Sequence, residues 1–213
     1  MAAELKRAAH IVNHVTAAKA AGRTGDAFQT VALTGPTSKL TRRSDTVLAR
    51  RWAMARARLV VEADWLSSCE RGACRDPRAA TWLKTVSLIR SVPHLERPAL
   101  VQKLFSRRIR YERDPSFDDH WATPLATLLR GAGDCEDHVL LKRAVLMAAG
   151  YGDTDTRLLI LRTASGAGHM ALEVDGPQTL VLDNRYRYPT NTRSMTGDRV
   201  AAIATGQGYF TLN

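Results

Sequence analysis

The chain has 213 residues, 45% of them hydrophobic, which is enough to bury one good core. Its formal net charge of +10 favours polyanionic surfaces, acidic substrates or nucleic acid as partners. Aromatic residues make up only 6% of the chain and no nucleic-acid-binding signature is present, which argues against nucleic acid. No run of about 18 apolar residues occurs, so a membrane-spanning helix is excluded.

Residues 1–44 are interpreted as an N-terminal extension or linker, and residues 45–213 as one domain. The first 22 residues have the pattern of an amphipathic, Ala-rich helix, and a polar stretch with several glycines follows. His10 and His14 interrupt the apolar segment that a secretory signal needs, so no signal peptide is readable. We expect a trimmed chain, export by another route, or a protein that stays inside the cell.

Helical patterns dominate the first half of the domain. Apolar residues recur at steps of three and four, Pro93 stops one such segment, and Pro98 opens the next. The fourth helix of this half is short and begins near Pro124, after a loop rich in aspartate. The four predicted helices occupy residues 45–66, 82–92, 98–105 and part of 121–130.

Two of the three cysteines, Cys69 and Cys74, lie close together, whereas Cys135 stands alone. One local disulfide and one free reactive thiol is the economical interpretation. The spacing of the pair also suits half of a metal site, but no second Cys or His pair occurs where zinc would need it. If the pair is oxidised, the compartment is periplasmic or extracellular.

The helix that bears Cys135 begins after a Gly-Ala-Gly break. Asp134 is a natural N-cap for this helix, and Asp137 completes an arrangement similar to a capping box. His138 is interpreted as a surface residue of the helix, with a place in the lining of the cleft as the alternative, and Gly150 ends the helix. The positions predicted to face the core are Leu140, Leu141, Ala144, Val145 and Ala148.

The last third of the chain has the pattern of antiparallel strands separated by turns. The predicted strands are Arg157–Thr163, His169–Val174 and Thr179–Asp183, with one more around Gly208–Phe210. The predicted fold class is therefore α+β, in which N-terminal helices precede the Cys135 helix and this helix packs on a small antiparallel sheet.

Three of these residues form a pattern that is typical of nucleophilic catalysis. Cys135 lies in the first helical turn, where free N–H groups and the helix dipole stabilise a thiolate. His169 begins one predicted strand and Asp183 ends the next, so a hairpin brings both to one end of the sheet. We therefore predict a Cys-His-Asp triad, in which the imidazole activates the thiol and the carboxylate orients the imidazole. Taken singly, each residue also suits a structural role.

Four motifs resemble one known family. They are Trp-Ala-Thr-Pro at 121–124, Gly-Ala-Gly-Asp-Cys-Glu-Asp at 131–137, Gly-His-Met-Ala-Leu at 168–172 and Leu-Val-Leu-Asp-Asn at 180–184. Together they strongly resemble the bacterial transglutaminase-like cysteine proteinases, the group that contains the LapG-type periplasmic proteases. The resemblance extends over roughly residues 82–188.

The resemblance implies a papain-like or transglutaminase-like core and a cysteine peptidase that works through an acyl-enzyme. In that scheme Cys135 is the nucleophile, His169 the general base and acid, and Asp183 the residue that orients His169. Trp121 is either a wall of the substrate cleft or a core aromatic. The implied substrate is a protein, such as a large surface adhesin, and the implied compartment is the periplasm, with the cytoplasm as the alternative.

The resemblance also implies a calcium ion bound by Asp134, Glu136 and Asp137, whose hard oxygen ligands suit this metal. Carboxylates in a first helical turn are favoured by capping and by the helix dipole as well, without any metal. Two other functions stay open. The same triad serves transglutaminase-like acyltransferases and amidases, and the basic N-terminal half suits a non-catalytic binding protein. The sequence gives no prediction of the oligomeric state.

Overall fold

A computed structural model describes residues 39–115, 119–191, 195 and 197–212. The predicted helix within residues 1–22 lies outside these ranges. The helices are α1 (Val47–Glu70), α2 (Pro77–Arg90), α3 (Arg97–Arg108), α4 (Pro124–Arg130) and α5 (Cys135–Ala148). The strands are β1 (Leu40–Arg43), β2 (Arg110–Tyr111), β3 (Ala132–Gly133), β4 (Thr156–Arg162), β5 (Gly168–Val174), β6 (Leu180–Leu182), β7 (Arg199–Thr205) and β8 (Gly208–Leu212). The α+β class is confirmed: β1 comes first, the helices follow, and strands β4 to β8 come after them.

Six strands form one antiparallel sheet in the order β1-β8-β7-β4-β5-β6. β4 lies inside this sheet, because it pairs with β5 on one side and with β7 on the other. The short strands β2 and β3 form a separate parallel pair that joins the end of α3 to the segment just before Cys135. The sheet therefore brings β5 and the end of β6, which carry His169 and Asp183, next to each other.

The core lies between the sheet and the helices. Alternate residues of a strand point to opposite faces, and Leu158 and Ile160 of β4 share one large cluster with α5 and the other helices. Leu159 and Leu161 belong to a smaller cluster on the other face. Burying a leucine side chain contributes about 1.5–3 kcal/mol, so the face with the larger cluster holds α5 firmly against β4 and β5.

The helix α5 is buried on nearly all sides. It lies against β5 of the sheet and against α3 and α4 of the helical layer. The predicted surface position of His138 is wrong, because this packing leaves only 2% of the residue exposed. Lys142 and Arg143 are buried as well. A sequence pattern with polar residues at these positions predicts an exposed face that the helix does not have.

Two strands of the sheet were not predicted. β7 is a central strand, but it is rich in alanine, a residue that is depleted in strands. β1, which lies in the part of the chain interpreted as an extension, pairs with β8 at the edge of the sheet. Its sequence, Leu-Thr-Arg-Arg, is too short and polar to give a strand pattern.

The cysteine pair forms the predicted disulfide, Cys69–Cys74, and Cys135 is a free thiol. The bridge ties the last turn of α1 to the loop before α2. Cys69 packs in the main core, where 6% of it is exposed. Within the described ranges, no helix combines the length and the apolar character that crossing a membrane requires.

We expect the disulfide to stabilise the fold by about 2 kcal/mol, because the bridge closes a short loop and limits the unfolded chain. The Cys69→Ala/Cys74→Ala variant should lose this amount in urea unfolding. A reductant should lower the stability of the wild type towards that of the variant and leave the variant unchanged. Equal stability of the oxidised and reduced wild type would contradict the expectation.

Candidate active site

The Gly-Ala-Gly segment places Cys135 at the start of α5. Gly131 ends α4 with φ of 66°, a left-handed conformation that glycine adopts without strain. A Cβ atom on Gly133 would lie 2.6 Å from Asp137 Oδ2, so the backbone approaches Asp137 too closely for any side chain. Asp134 takes the N-cap position, and Cys135 is the first helical residue, as predicted.

The predicted capping box at Asp134 and Asp137 does not form. The Asp134 side chain makes no capping hydrogen bond within the described part of the chain. The buried Asp137 carboxylate instead accepts hydrogen bonds from the Ala122 N–H at 2.8 Å and from the Arg130 guanidinium at 2.8 Å. Asp137 therefore fastens the segment before α4 to the first turn of α5.

The thiol of Cys135 is partly buried and donates a hydrogen bond to Glu136 Oε2 at 3.0 Å. Burial, together with the charges of Glu136 and Asp134, raises the pKa of this thiol above its ordinary value. The backbone N–H of Met170, the residue after His169, hydrogen-bonds to the sulfur and lowers the pKa of the thiol. The predicted thiolate is therefore not the form that these surroundings favour, because burial and the two carboxylates outweigh the helix dipole. The contact with Met170 nevertheless brings the sulfur to the start of β5.

His169 and Asp183 meet as the predicted hairpin requires. His169 Nε2 lies 3.0 Å from Asp183 Oδ1, and 9% and 0% of the two side chains are exposed. Burial disfavours ionisation of Asp183, but the hydrogen bonds from His169 and Arg185 outweigh it and lower its pKa to about 2. An ionised Asp183 accepts the Nε2 proton, which leaves Nδ1 as the nitrogen able to take a proton from a thiol.

Arg185 and Gln102 hold Asp183 in place, and the sequence did not identify either of them as part of the site. The Arg185 guanidinium donates to Asp183 Oδ2 at 2.7 Å and to Asp198 at 2.6 Å. The buried Gln102 amide donates to the Asp183 carbonyl at 2.7 Å and also to the Tyr186 carbonyl. An arginine two residues after the aspartate was the available signal, because that spacing permits a local ion pair.

Two further polar residues of α5 lie beneath Asp183. The fully buried Lys142 donates to the Leu182 carbonyl at 3.4 Å, and burial lowers its pKa to about 7, although the charge of Asp183 opposes this shift. Burial and the nearby Lys142 lower the pKa of His138 to about 4. Neither ring nitrogen of His138 has a hydrogen-bond partner within the described residues. A buried basic pair therefore supports the strand end that carries Asp183.

The three predicted metal ligands divide into two groups. Burial raises the pKa of both Asp134 and Glu136; the charge of Asp134 also raises the pKa of Glu136, and the charge of Asp114 raises that of Asp134. Asp134 Oδ1 is buried without a hydrogen-bond partner among the described residues. Both oxygens of Asp137, in contrast, already have donors. Within the described ranges, no three His, Cys, Asp or Glu side chains are arranged to hold a metal ion.

Asp134 and Glu136 thus suit a hard cation by their chemistry, and Asp137 does not. Two buried carboxylates that have no cationic partner among the described residues are the kind of donors that calcium prefers. Such an ion would take its other ligands from backbone carbonyls and water, since calcium binds six to eight oxygens. Trp121, the candidate cleft wall, is only 5% exposed and belongs to the main core.

Comparison with protein families gives one match. The pattern described as bacterial transglutaminase-like cysteine proteinase matches residues 65–192 of this chain. The match includes Asp134 to Asp137, His169 and Asp183, so it covers all of the predicted site. A comparison with curated proteins gave no match.

Solved structures of LapG from Legionella pneumophila are similar in fold. Calcium-bound LapG has a TM-score of 0.58 and 21% sequence identity, over 70% of this chain and 87% of LapG. EGTA-treated LapG has a TM-score of 0.57 and 19% identity, over 70% of this chain and 84% of that one. At this identity the similarity concerns the fold alone, and it confirms the predicted transglutaminase-like core.

We expect Asp183→Asn to lower the stability by about 2 kcal/mol at neutral pH, because the folded state depresses the pKa of this carboxyl. This contribution is present above the unfolded pKa of roughly 4 and is lost as the pH falls towards 2. Urea unfolding should show the gap between wild type and variant narrowing over that range. Asp45→Asn is the matched control, because Asp45 also has a pKa of about 2 but forms an exposed pair with Arg43. A gap that does not depend on pH would rule out this linkage.

Proposed function

This chain belongs to the bacterial transglutaminase-like cysteine proteinases, and from this we propose that it hydrolyses peptide bonds of a protein substrate through Cys135, His169 and Asp183. The main support is the 3.0 Å hydrogen bond between His169 and Asp183 at the strand ends that face the start of α5. The Met170 N–H beside the Cys135 sulfur supports the same arrangement.

In the proposed reaction, His169 Nδ1 takes the proton of the Cys135 thiol as the sulfur attacks the substrate carbonyl carbon. The tetrahedral oxyanion is stabilised by the Cys135 N–H and a second donor. His169 then gives the proton to the leaving amine as the C–N bond breaks, and the acyl part of the substrate stays on Cys135 as a thioester. Water attacks the thioester while His169 accepts its proton, the C–S bond breaks to release the acid, and the proton on His169 returns to the sulfur. Asp183 keeps the Nε2 proton in place throughout.

Arg185 and Gln102 have supporting roles in this proposal. Arg185 keeps Asp183 ionised, and Gln102 holds the backbone at the same residue. An ionised Asp183 favours the imidazolium that forms when His169 takes the thiol proton. At rest the Cys135 thiol donates a hydrogen bond to Glu136. This hydrogen bond must break before the sulfur attacks, because a hydrogen bond to a carboxylate disfavours the thiolate.

Selective labelling and cleavage assays test the triad. Cys135→Ala should lower kcat/KM for a cleaved protein or peptide at least about a thousandfold, as expected for a lost nucleophile. Mass spectrometry after iodoacetamide should find the label on Cys135, with Cys69 and Cys74 unreactive until they are reduced. Added amine should leave the products unchanged when water is the acyl acceptor. Undiminished cleavage by Cys135→Ala would refute the peptidase proposal, and amine-containing products would indicate an acyltransferase.

We also propose that Asp134 and Glu136 bind calcium. The support is the burial of both carboxyl groups, which raises their pKa values, together with Asp134 Oδ1, which has no hydrogen-bond partner among the described residues. LapG of Legionella pneumophila has been solved both calcium-bound and EGTA-treated. When bound, the ion supplies positive charge that offsets two of the groups that raise the Cys135 pKa.

Calcium should raise the melting temperature of the wild type relative to a sample in EGTA. At a hundredfold excess over Kd the stabilisation is about 2.7 kcal/mol, or roughly 5–10 °C for a chain of this size. The Asp134→Asn/Glu136→Gln variant should lose this shift, and magnesium should not replace calcium. The same shift in wild type and variant would exclude these residues as ligands.

The disulfide is the support for a periplasmic location, since such bonds persist in oxidising compartments. Family resemblance is the support for a large cell-surface adhesin as the substrate. Both belong to the proposal, and the cleavage assays above do not depend on either.

A further inference from the structure

The strand ends next to His169 carry two arginines. Arg162, the last residue of β4, pairs with Gly168 of β5, the residue that precedes His169. On its other side Arg162 pairs with Arg199, the first residue of β7. Neighbouring strands lie about 4.8 Å apart. The backbones of these arginines are therefore roughly 5 and 10 Å from the start of β5.

Arg162 and Arg199 lie directly opposite each other, and like charges in this arrangement destabilise a sheet. Both residues are exposed. The Arg162 side chain donates to the Gly166 carbonyl at 3.1 Å. The Arg199 side chain has no hydrogen bond or ion pair with any residue that the structure describes. Within the described ranges, no carboxylate neutralises this pair.

A third arginine lies on the other side of His169, in the segment after β6. Arg187 is exposed, and its guanidinium lies 5.6 Å from the ring centroid of Tyr188. The neighbouring Arg185 is different, because Asp183 and Asp198 already balance its charge. Arg162, Arg187 and Arg199, here called the arginine rim, thus lie in the segments next to His169 without carboxylate partners among the described residues.

The start of α5 has the reverse charge when no cation is bound there. Glu136 accepts a hydrogen bond from the Cys135 thiol at 3.0 Å, and Asp134 is the residue before Cys135. At the strand ends beside His169, the described aspartates Asp183 and Asp198 both bind Arg185. Unpaired charges among the described residues are therefore negative at the start of α5 and positive at these strand ends.

We propose that the arginine rim binds an acidic segment of the protein substrate, adjacent to the bond that is cleaved and on one side of it only. This inference rests on the proposed peptidase function. Guanidinium groups bind carboxylates in a bidentate manner, and an acidic segment would relieve the repulsion between Arg162 and Arg199. The arginine rim thereby selects substrates by the charge of the residues beside the cleaved bond. Substrates with neutral or basic residues there are cleaved less efficiently.

The first experiment maps cleavage sites in a proteome-derived peptide library by mass spectrometry, with wild type and Cys135→Ala. Aspartate and glutamate should be enriched on one side of the bonds that only the wild type cleaves. The second uses two fluorogenic peptides built on one mapped site, one with its acidic flank and one with Gln and Asn in its place. The wild type should prefer the acidic peptide in kcat/KM.

Charge reversal then tests the rim itself. Arg162→Glu/Arg199→Glu should reduce the preference for the acidic peptide about tenfold, the size expected for two exposed charges. The matched control is Arg75→Glu/Lys84→Glu, which makes the same charge change at exposed positions on α2 and the loop before it. The control should keep the wild-type preference. Arg199→Gln should fold with an unchanged or higher melting temperature, since it removes one of two positive charges that lie directly opposite each other.

The outcomes separate the inference from the function on which it rests. If no cleavage depends on Cys135, the peptidase proposal fails and this inference falls with it. Cysteine-dependent cleavage without acidic enrichment, or an equal loss of preference in rim and control variants, overturns the inference alone. A single-stranded oligonucleotide that binds the wild type but not the rim variant, with peptide preference unchanged, would assign the rim to nucleic acid instead and also overturn it.

Discussion

The site depends on keeping one carboxylate ionised where almost no water reaches it. Asp183 is fully buried, and desolvating an isolated ion costs several kcal/mol. Arg185 and His169 offset this cost with hydrogen bonds to both carboxylate oxygens, and Gln102 fixes the backbone at the same residue. Because these donors come from α3, β5 and the segment after β6, the sheet and the helical layer must both be in place before Asp183 can orient an imidazole.

The Cys135 thiol and the Asp183 carboxylate have different electrostatic environments. Positive and hydrogen-donating groups surround Asp183 and lower its pKa, whereas burial and carboxylates around Cys135 raise the pKa of the thiol. The start of a helix favours a thiolate by a few tenths to about 2 kcal/mol, which two nearby negative charges outweigh in a buried site. Burial and these charges therefore favour the protonated thiol at rest, and its activation depends on what happens to Glu136 and Asp134.

Much of the fold could be predicted from the sequence, because its signals are local. The helices α1 to α4, the start of α5 and the strands β4, β5 and β6 follow from periodicity, from glycine and proline positions, and from the N-cap position of Asp134. β7 could not be predicted, since its alanines carry no strand signal and its place is set by pairing with β4 and β8. The partners of Asp137 were also missed, because they lie outside its own helix.

The buried helix α5 carries polar residues beside the site, two of which, His138 and Lys142, were not predicted to be part of it. A helix enclosed by a sheet and other helices is expected to be hydrophobic all round. Glu136, His138 and Lys142 of α5 are nevertheless buried. Each of these residues lies near Cys135 or Asp183 rather than at random along the helix. Apolar residues at these positions would fill the same space without a desolvation penalty. These polar side chains weaken the core. The electrostatic field that they create at the Cys135 thiol and at the Asp183 carboxylate explains why they are present.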